Sequence, residues 1–112
     1  MNIHIEQDGE AQVFRLEGRL DGTTSQAVEE AFLKQFDSGA KRVLFDFGKL
    51  EYISSAGLRV MLLAAKKIRA AGGKIALFGL SDSVREVFEI SGFHSIFALY
   101  SIREEALAFV SA

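Results

Sequence analysis

The sequence predicts an α/β domain with a mixed sheet and helices packed on it. Three observations carry this. Two short apolar segments, Val43 to Phe47 and Lys74 to Phe78, read as strands buried on both faces. A long helical pattern separates them, which makes the right-handed crossover unit of a parallel pair. An alternating pattern before both reads as a hairpin, whose strands are antiparallel. The predicted order is β-β-α-β-α-β-α-β-α, and 112 residues suit one domain spanning 1–112.

Each element has its own signal. Ile3 and Ile5 alternate with polar neighbours, and after Gln7-Asp8-Gly9-Glu10 the pattern resumes through Val13, Phe14, Leu16 and Leu20, so strands are expected at about 2 to 6 and 11 to 19. The loop Arg19 to Gln26 offers several capping side chains, and Thr23 with Gln26 has capping-box spacing. The helix it opens carries Val28, Ala31, Phe32 and Phe36 on one stripe and ends near Ser38-Gly39. The next helix, from about Ser55 to about Ala70, places Leu58, Met61, Leu62, Ala65 and Ile68 inward and stops at Gly72-Gly73. Ser81 and its neighbours cap a third helix with Val84, Val87 and Phe88 inward, which Ser91-Gly92 ends. A short strand about Ile96 to Leu99 follows, and Ser101 with Glu104 suggests a capping box for a last helix carrying Ala106, Leu107 and Val110.

Composition narrows the function. Net charge is −2 with both signs interspersed, so no basic stripe faces nucleic acid. No cysteine is present, and His4 and His94 lack metal-ligand spacing, so no metal site is expected. The start of the chain does not read as a signal peptide, and the apolar run Val60 to Ala65 is too short to span a bilayer. A cytoplasmic protein with no membrane partner is expected. Neither a dinucleotide fingerprint nor a phosphate-binding loop occurs, so no cofactor is expected. The Gly-x-Ser-x-Gly elbow of a hydrolase is also missing, and a serine without a positioned base is a weak nucleophile.

What remains is the junction of the first buried strand with the long helix. Ser54 and Ser55 stand where unpaired N–H groups and the positive end of the helix dipole favour an anion, a phosphate in particular. Plain N-capping explains the same residues equally well. Asp21 reads as a loop or capping residue, and Arg59 as a solvated cation or, if it faces the hydroxyls, a phosphate partner.

Gly18-Arg19-Leu20-Asp21, Val43-Leu44-Phe45-Asp46-Phe47 and above all Tyr52-Ile53-Ser54-Ser55-Ala56-Gly57-Leu58-Arg59 give the whole chain a resemblance to the STAS domain of bacterial anti-sigma factor antagonists. The resemblance implies a regulator, not an enzyme. An anti-sigma factor with serine kinase activity would bind the unphosphorylated form, releasing the sigma factor, and would phosphorylate one serine at the helix start; a serine phosphatase would reverse this. The family's usual Asp-Ser-Ser/Thr/Ala-Gly-Leu puts the acceptor at Ser55, with Ser54 where aspartate is usual and a second hydroxyl beside the acceptor. The implied partner-binding surface comprises Asp21, Gly22, Thr23, Ser54, Ser55, Gly57, Leu58 and Arg59, on a monomer or weak dimer. A STAS module serving as a non-phosphorylated structural subunit of a transport or stress-signalling assembly is the alternative.

Overall fold

The computed structural model describes residues 1–112. Its elements are β1 (Asn2–Asp8), β2 (Ala11–Leu20), α1 (Ser25–Asp37), β3 (Arg42–Ile53), α2 (Ser55–Ala70), β4 (Lys74–Phe78), α3 (Asp82–Ile90), β5 (Ala98–Tyr100) and α4 (Arg103–Ser111), with a 3₁₀ turn at Phe93–Ser95. The expected order is therefore the observed one. The five strands lie side by side in chain order; β1 pairs antiparallel with β2, and every other pair is parallel.

The hairpin closes with Asp8 opposite Ala11, so its loop is the two residues Gly9-Glu10. Only Gly9 has positive φ, at 62°, the pattern of a turn that needs glycine at its first central position. The parallel strands β2 to β5 are linked by α1, α2 and α3, and right-handed crossovers that all step the same way lay all three helices on one face. That face holds the larger core, where Phe14, Phe45 and Ile75 of the sheet meet Val28, Phe32, Met61, Ile68 and Phe88 of the helices. Phe14 stacks on Phe45 at 5.0 Å, and Phe47, Phe88 and Phe97 continue the aromatic contacts towards β5. The opposite face holds a smaller cluster, in which Ala106 and Val110 of α4 cover Val13, Leu44 and Ala76. No polar side chain is buried, so all the chemistry of this protein lies at its surface.

Several local expectations are corrected. β3 does not stop at Phe47; it runs on to Ile53, and two register shifts against β2 give it two extra residues. Such bulges bend a strand and break the alternation that marks it in a sequence. The capping box of Thr23 with Gln26 does not form, because Thr23 turns to Asp21 and Gln26 bonds Glu30. Ser101 does not cap α4 either: Ile102 holds that position, without a side-chain cap. Leu62 is only partly buried, whereas Ala64 joins the inward stripe of α2 in its place. The last strand sits slightly later than expected, at Ala98–Tyr100.

Candidate functional site

β2 and β3 end together, with Leu20 opposite Ile53, and this brings the loop after β2 beside the start of α2. The Ser54 N–H donates to the Leu20 carbonyl at 2.9 Å, which pins the two segments across the sheet end. Ser54 then leaves the strand in an extended conformation, and its hydroxyl accepts the Gly57 N–H at 3.4 Å as the N-cap of α2. Ser55 is the first residue of the helix proper. It is exposed, and its hydroxyl makes no hydrogen bond within the chain. The two adjacent serines therefore differ in role: one holds the helix end, and the other is unengaged.

Gly57 sets how deeply this helix end seats. A Cβ there would lie 2.7 Å from Leu20 Cγ, 2.8 Å from Ile53 Cγ1 and 3.0 Å from the Leu20 carbonyl oxygen, so only glycine permits the approach. Gly57 and Leu58, expected on the partner-binding surface, are instead buried and support it from beneath. Their place in the motif follows from packing against β2 and β3.

Asp21 organises the neighbouring loop. Its carboxylate accepts the hydroxyl of Thr23 at 2.7 Å and the Thr23 N–H at 2.9 Å, while its own N–H donates to the Thr24 hydroxyl. The side-chain bond from Thr23, then its backbone N–H, then Thr24 and the charge of Arg19 outweigh partial desolvation, and the Asp21 pKa falls below its ordinary value of 3.8. Asp21 is thus anionic at neutral pH. Gly22 and Thr23 lie exposed on the loop rim.

Two features at this end were not singled out from the sequence. Arg19 lays its guanidinium 4.2 Å from the centroid of the Tyr52 ring and its Nε 3.8 Å from Asp21, so a cation bridges the loop and the end of β3. Along α2, Arg59, Leu62, Leu63, Lys66 and Lys67 line a shallow groove of about 350 Å³. Arg59 stands one helical turn after Ser55 on the same face and has no ion-pair partner. The 3-residue and 4-residue spacing of that stripe is visible in the sequence; the link from Arg19 to Tyr52 depends on strand register.

Neither Ser54 nor Ser55 lines a depression. The serines stand at the start of α2 beside the loop that Asp21 organises, with Ser55 exposed and Ser54 half-buried. No set of three His, Asp or Glu side chains is placed to hold a metal, and no helix is long and apolar enough to cross a membrane.

Residues 2–106 match the family model of the STAS domain. The chain is 48% identical over 93 residues to BtrV of Bordetella bronchiseptica, a protein classed with the anti-sigma factor antagonists, covering 83% of this chain and 80% of that one. It is 33% identical over 109 residues to the anti-sigma-B factor antagonist of Listeria monocytogenes, covering 94% and 95%. Among solved structures, a Thermotoga maritima protein of the same class shares the fold with a TM-score of 0.94 at 18% identity, over 98% of this chain and 95% of that one. The Bacillus cell fate determinant SpoIIAA in its phosphorylated form gives a TM-score of 0.76 at 25% identity, over 97% and 99%.

Proposed function

The chain belongs to the STAS domain family, and on that premise we propose that it is an anti-sigma factor antagonist that works by phosphorylation-controlled partner switching. Unphosphorylated, it binds a cytoplasmic anti-sigma factor that is also a serine kinase, and the sigma factor is released. Phosphorylation of Ser55 ends that binding, and a serine phosphatase restores it. The observation that carries this reading is the division of labour at the helix start: Ser54 is occupied as the cap, and Ser55 presents a free, exposed hydroxyl. A relative of similar fold solved in a phosphorylated form supports it.

In the transfer, the Ser55 oxygen attacks the γ-phosphorus of the kinase's ATP, the bond to the β-phosphate oxygen breaks, ADP leaves, and the serine proton passes to a base on the kinase. This chain contributes the acceptor and its fixed position. The product adds close to two negative charges and three acceptor oxygens. On the free protein that anion is tolerated, because the first N–H groups of α2 and the helix dipole face it and Arg59 lies one turn away. At an interface the same anion must be stripped of water. Burying it unpaired costs several kcal/mol, and each ~1.4 kcal/mol is tenfold in affinity, so binding falls by orders of magnitude.

Asp21, Gly22, Thr23 and Arg59 complete the surface offered to the partner, with Gly57 and Leu58 fixing its height. Incubation with the partner kinase and ATP, followed by intact mass and peptide mapping, tests the assignment. One phosphate on Ser55 is expected; no modification, or modification at Ser54 alone, overturns it.

A further inference from the structure

The two edges of the sheet are unlike. β5 is a three-residue edge, too short to template another strand. β1 is seven residues long, Asn2-Ile3-His4-Ile5-Glu6-Gln7-Asp8, with no proline, lysine or bulge, and it pairs on one side only. At its centre Ile5 is 39% exposed. Natural edges are usually blunted by proline, lysine, bulges or other charges; of these devices β1 carries only the carboxylates Glu6 and Asp8, and both are already paired by Arg103.

We propose that β1 pairs with β1 of a second copy of this chain, antiparallel about a two-fold axis at Ile5, to make a continuous ten-stranded sheet. The backbone sets the register. A two-residue hairpin loop makes Asp8 and Ala11 a hydrogen-bonded pair, so even-numbered residues of β1 turn their N–H and C=O groups to β2, and Ile3, Ile5 and Gln7 turn theirs outward. Two copies centred on Ile5 overlap along the full strand. Ile5 then faces its own copy and Ile3 faces Gln7, all at positions with outward hydrogen-bonding groups.

The side chains select the same register. It sets His4 opposite Glu6 and Asn2 opposite Asp8, each twice, so that every facing polar pair joins a donor to a carboxylate. Sliding the strands one way sets Glu6 against Glu6, and like charges directly opposite are destabilising; sliding them the other way sets His4 against His4 and leaves Asp8 with no facing partner, and both slides shorten the overlap. Arg103 of α4 already binds Glu6 and Asp8 from the side, at 3.0 and 3.1 Å, so these carboxylates are held in place along the edge. Because the axis runs β1 of the two copies antiparallel, the two Ser55 helix starts point to opposite ends of the dimer. Each stays free for its own partner.

Sedimentation equilibrium on the full chain over a concentration series tests the pairing. The mass is expected to rise from 12.3 kDa towards twice that value. Ile5→Pro removes only an outward N–H and Ile5→Lys sets two cations face to face, and each is expected to weaken association at least tenfold with unchanged circular dichroism. Register is read by oxidation: the chain has no cysteine, and facing non-hydrogen-bonded residues have Cα atoms about 4.5 Å apart, within disulfide reach. A mixture of His4→Cys and Glu6→Cys should therefore cross-link faster than either variant alone. A mass that stays at 12.3 kDa, a dimer unmoved by both Ile5 variants, or mixed cross-linking no faster than either variant alone overturns the proposal.

Discussion

Helices α2 and α3 begin in nearly the same way, and only one of them makes a site. Each opens on an extended serine whose hydroxyl accepts the N–H three residues on, Ser54 from Gly57 at 3.4 Å and Ser81 from Val84 at 3.3 Å. Beyond the cap they diverge. The first turn of α3 already holds an anion, Asp82, and the Ser83 hydroxyl lies 3.3 Å from that of Ser81. The first turn of α2 has no acidic residue, its next hydroxyl is free, and Arg59 stands unpaired one turn on. A capping serine is thus generic. What distinguishes α2 is an unengaged hydroxyl at an uncompensated helix dipole, pinned to the sheet by a buried glycine.

The largest expected effect is in binding. Ser55→Glu should weaken the complex with the partner kinase about 100-fold or more, roughly 2.7 kcal/mol, whereas Ser83→Glu, at the next hydroxyl after the cap of α3, should leave it unchanged. Ser55→Ala should bind as tightly as the parent and take no phosphate. Titration calorimetry of the three variants breaks the comparison if the Ser83 substitution is as damaging as that at Ser55.

Next comes the seating of the helix. Gly57→Ala drives a methyl group into Leu20 and Ile53 and should cost about 1–3 kcal/mol, typical of overpacking, seen as a lower urea midpoint. Because the displaced element carries Ser55, the phosphorylation rate should fall as well.

Capping itself should be equal at the two helices. Ser54→Ala and Ser81→Ala are each expected to cost about 1 kcal/mol in denaturant titrations. Only the first should also alter kinase turnover, since only it holds the residue before the acceptor.

The smallest effect concerns Asp21. Its pKa is lowered in the fold, so its carboxylate adds stability above the ordinary value of 3.8, and that contribution is lost as pH falls through the lowered folded value. Asp21→Asn should therefore be less stable than the parent at pH 7, and the difference in urea midpoint should close in stronger acid. A gap that stays constant with pH would assign the loop's order to shape alone.

The sequence was most legible where one physical demand dominated. α2 spans Ser55–Ala70 and β4 spans Lys74–Phe78 as read, because a long amphipathic stripe and a doubly buried strand each leave a strong apolar pattern. Legibility failed where local signals competed with tertiary ones. The two bulges in β3 disguise Gly48 to Ile53 as a turn, and the Asp21 carboxylate draws Thr23 away from Gln26. The serine pair stood out in the sequence, but its division into cap and acceptor candidate did not. That division depends on which hydroxyl the first turn of α2 engages. Likewise, the link from Arg19 to Tyr52 depends on the register between β2 and β3.

The order of the strands also bears on how the chain folds. Each strand pairs with its neighbour in sequence, so the sheet can be laid down from β1 to β5 with every crossover closing locally, without a late strand threading between earlier ones. Only α4 reaches back across the whole chain, where Arg103 clasps Glu6 and Asp8 on the first strand. During synthesis, when N-terminal segments emerge first, the small cluster over Val13, Leu44 and Ala76 stays open until this last helix arrives. The final helix therefore acts as a latch whose closure joins the two ends of the chain into one cooperative unit.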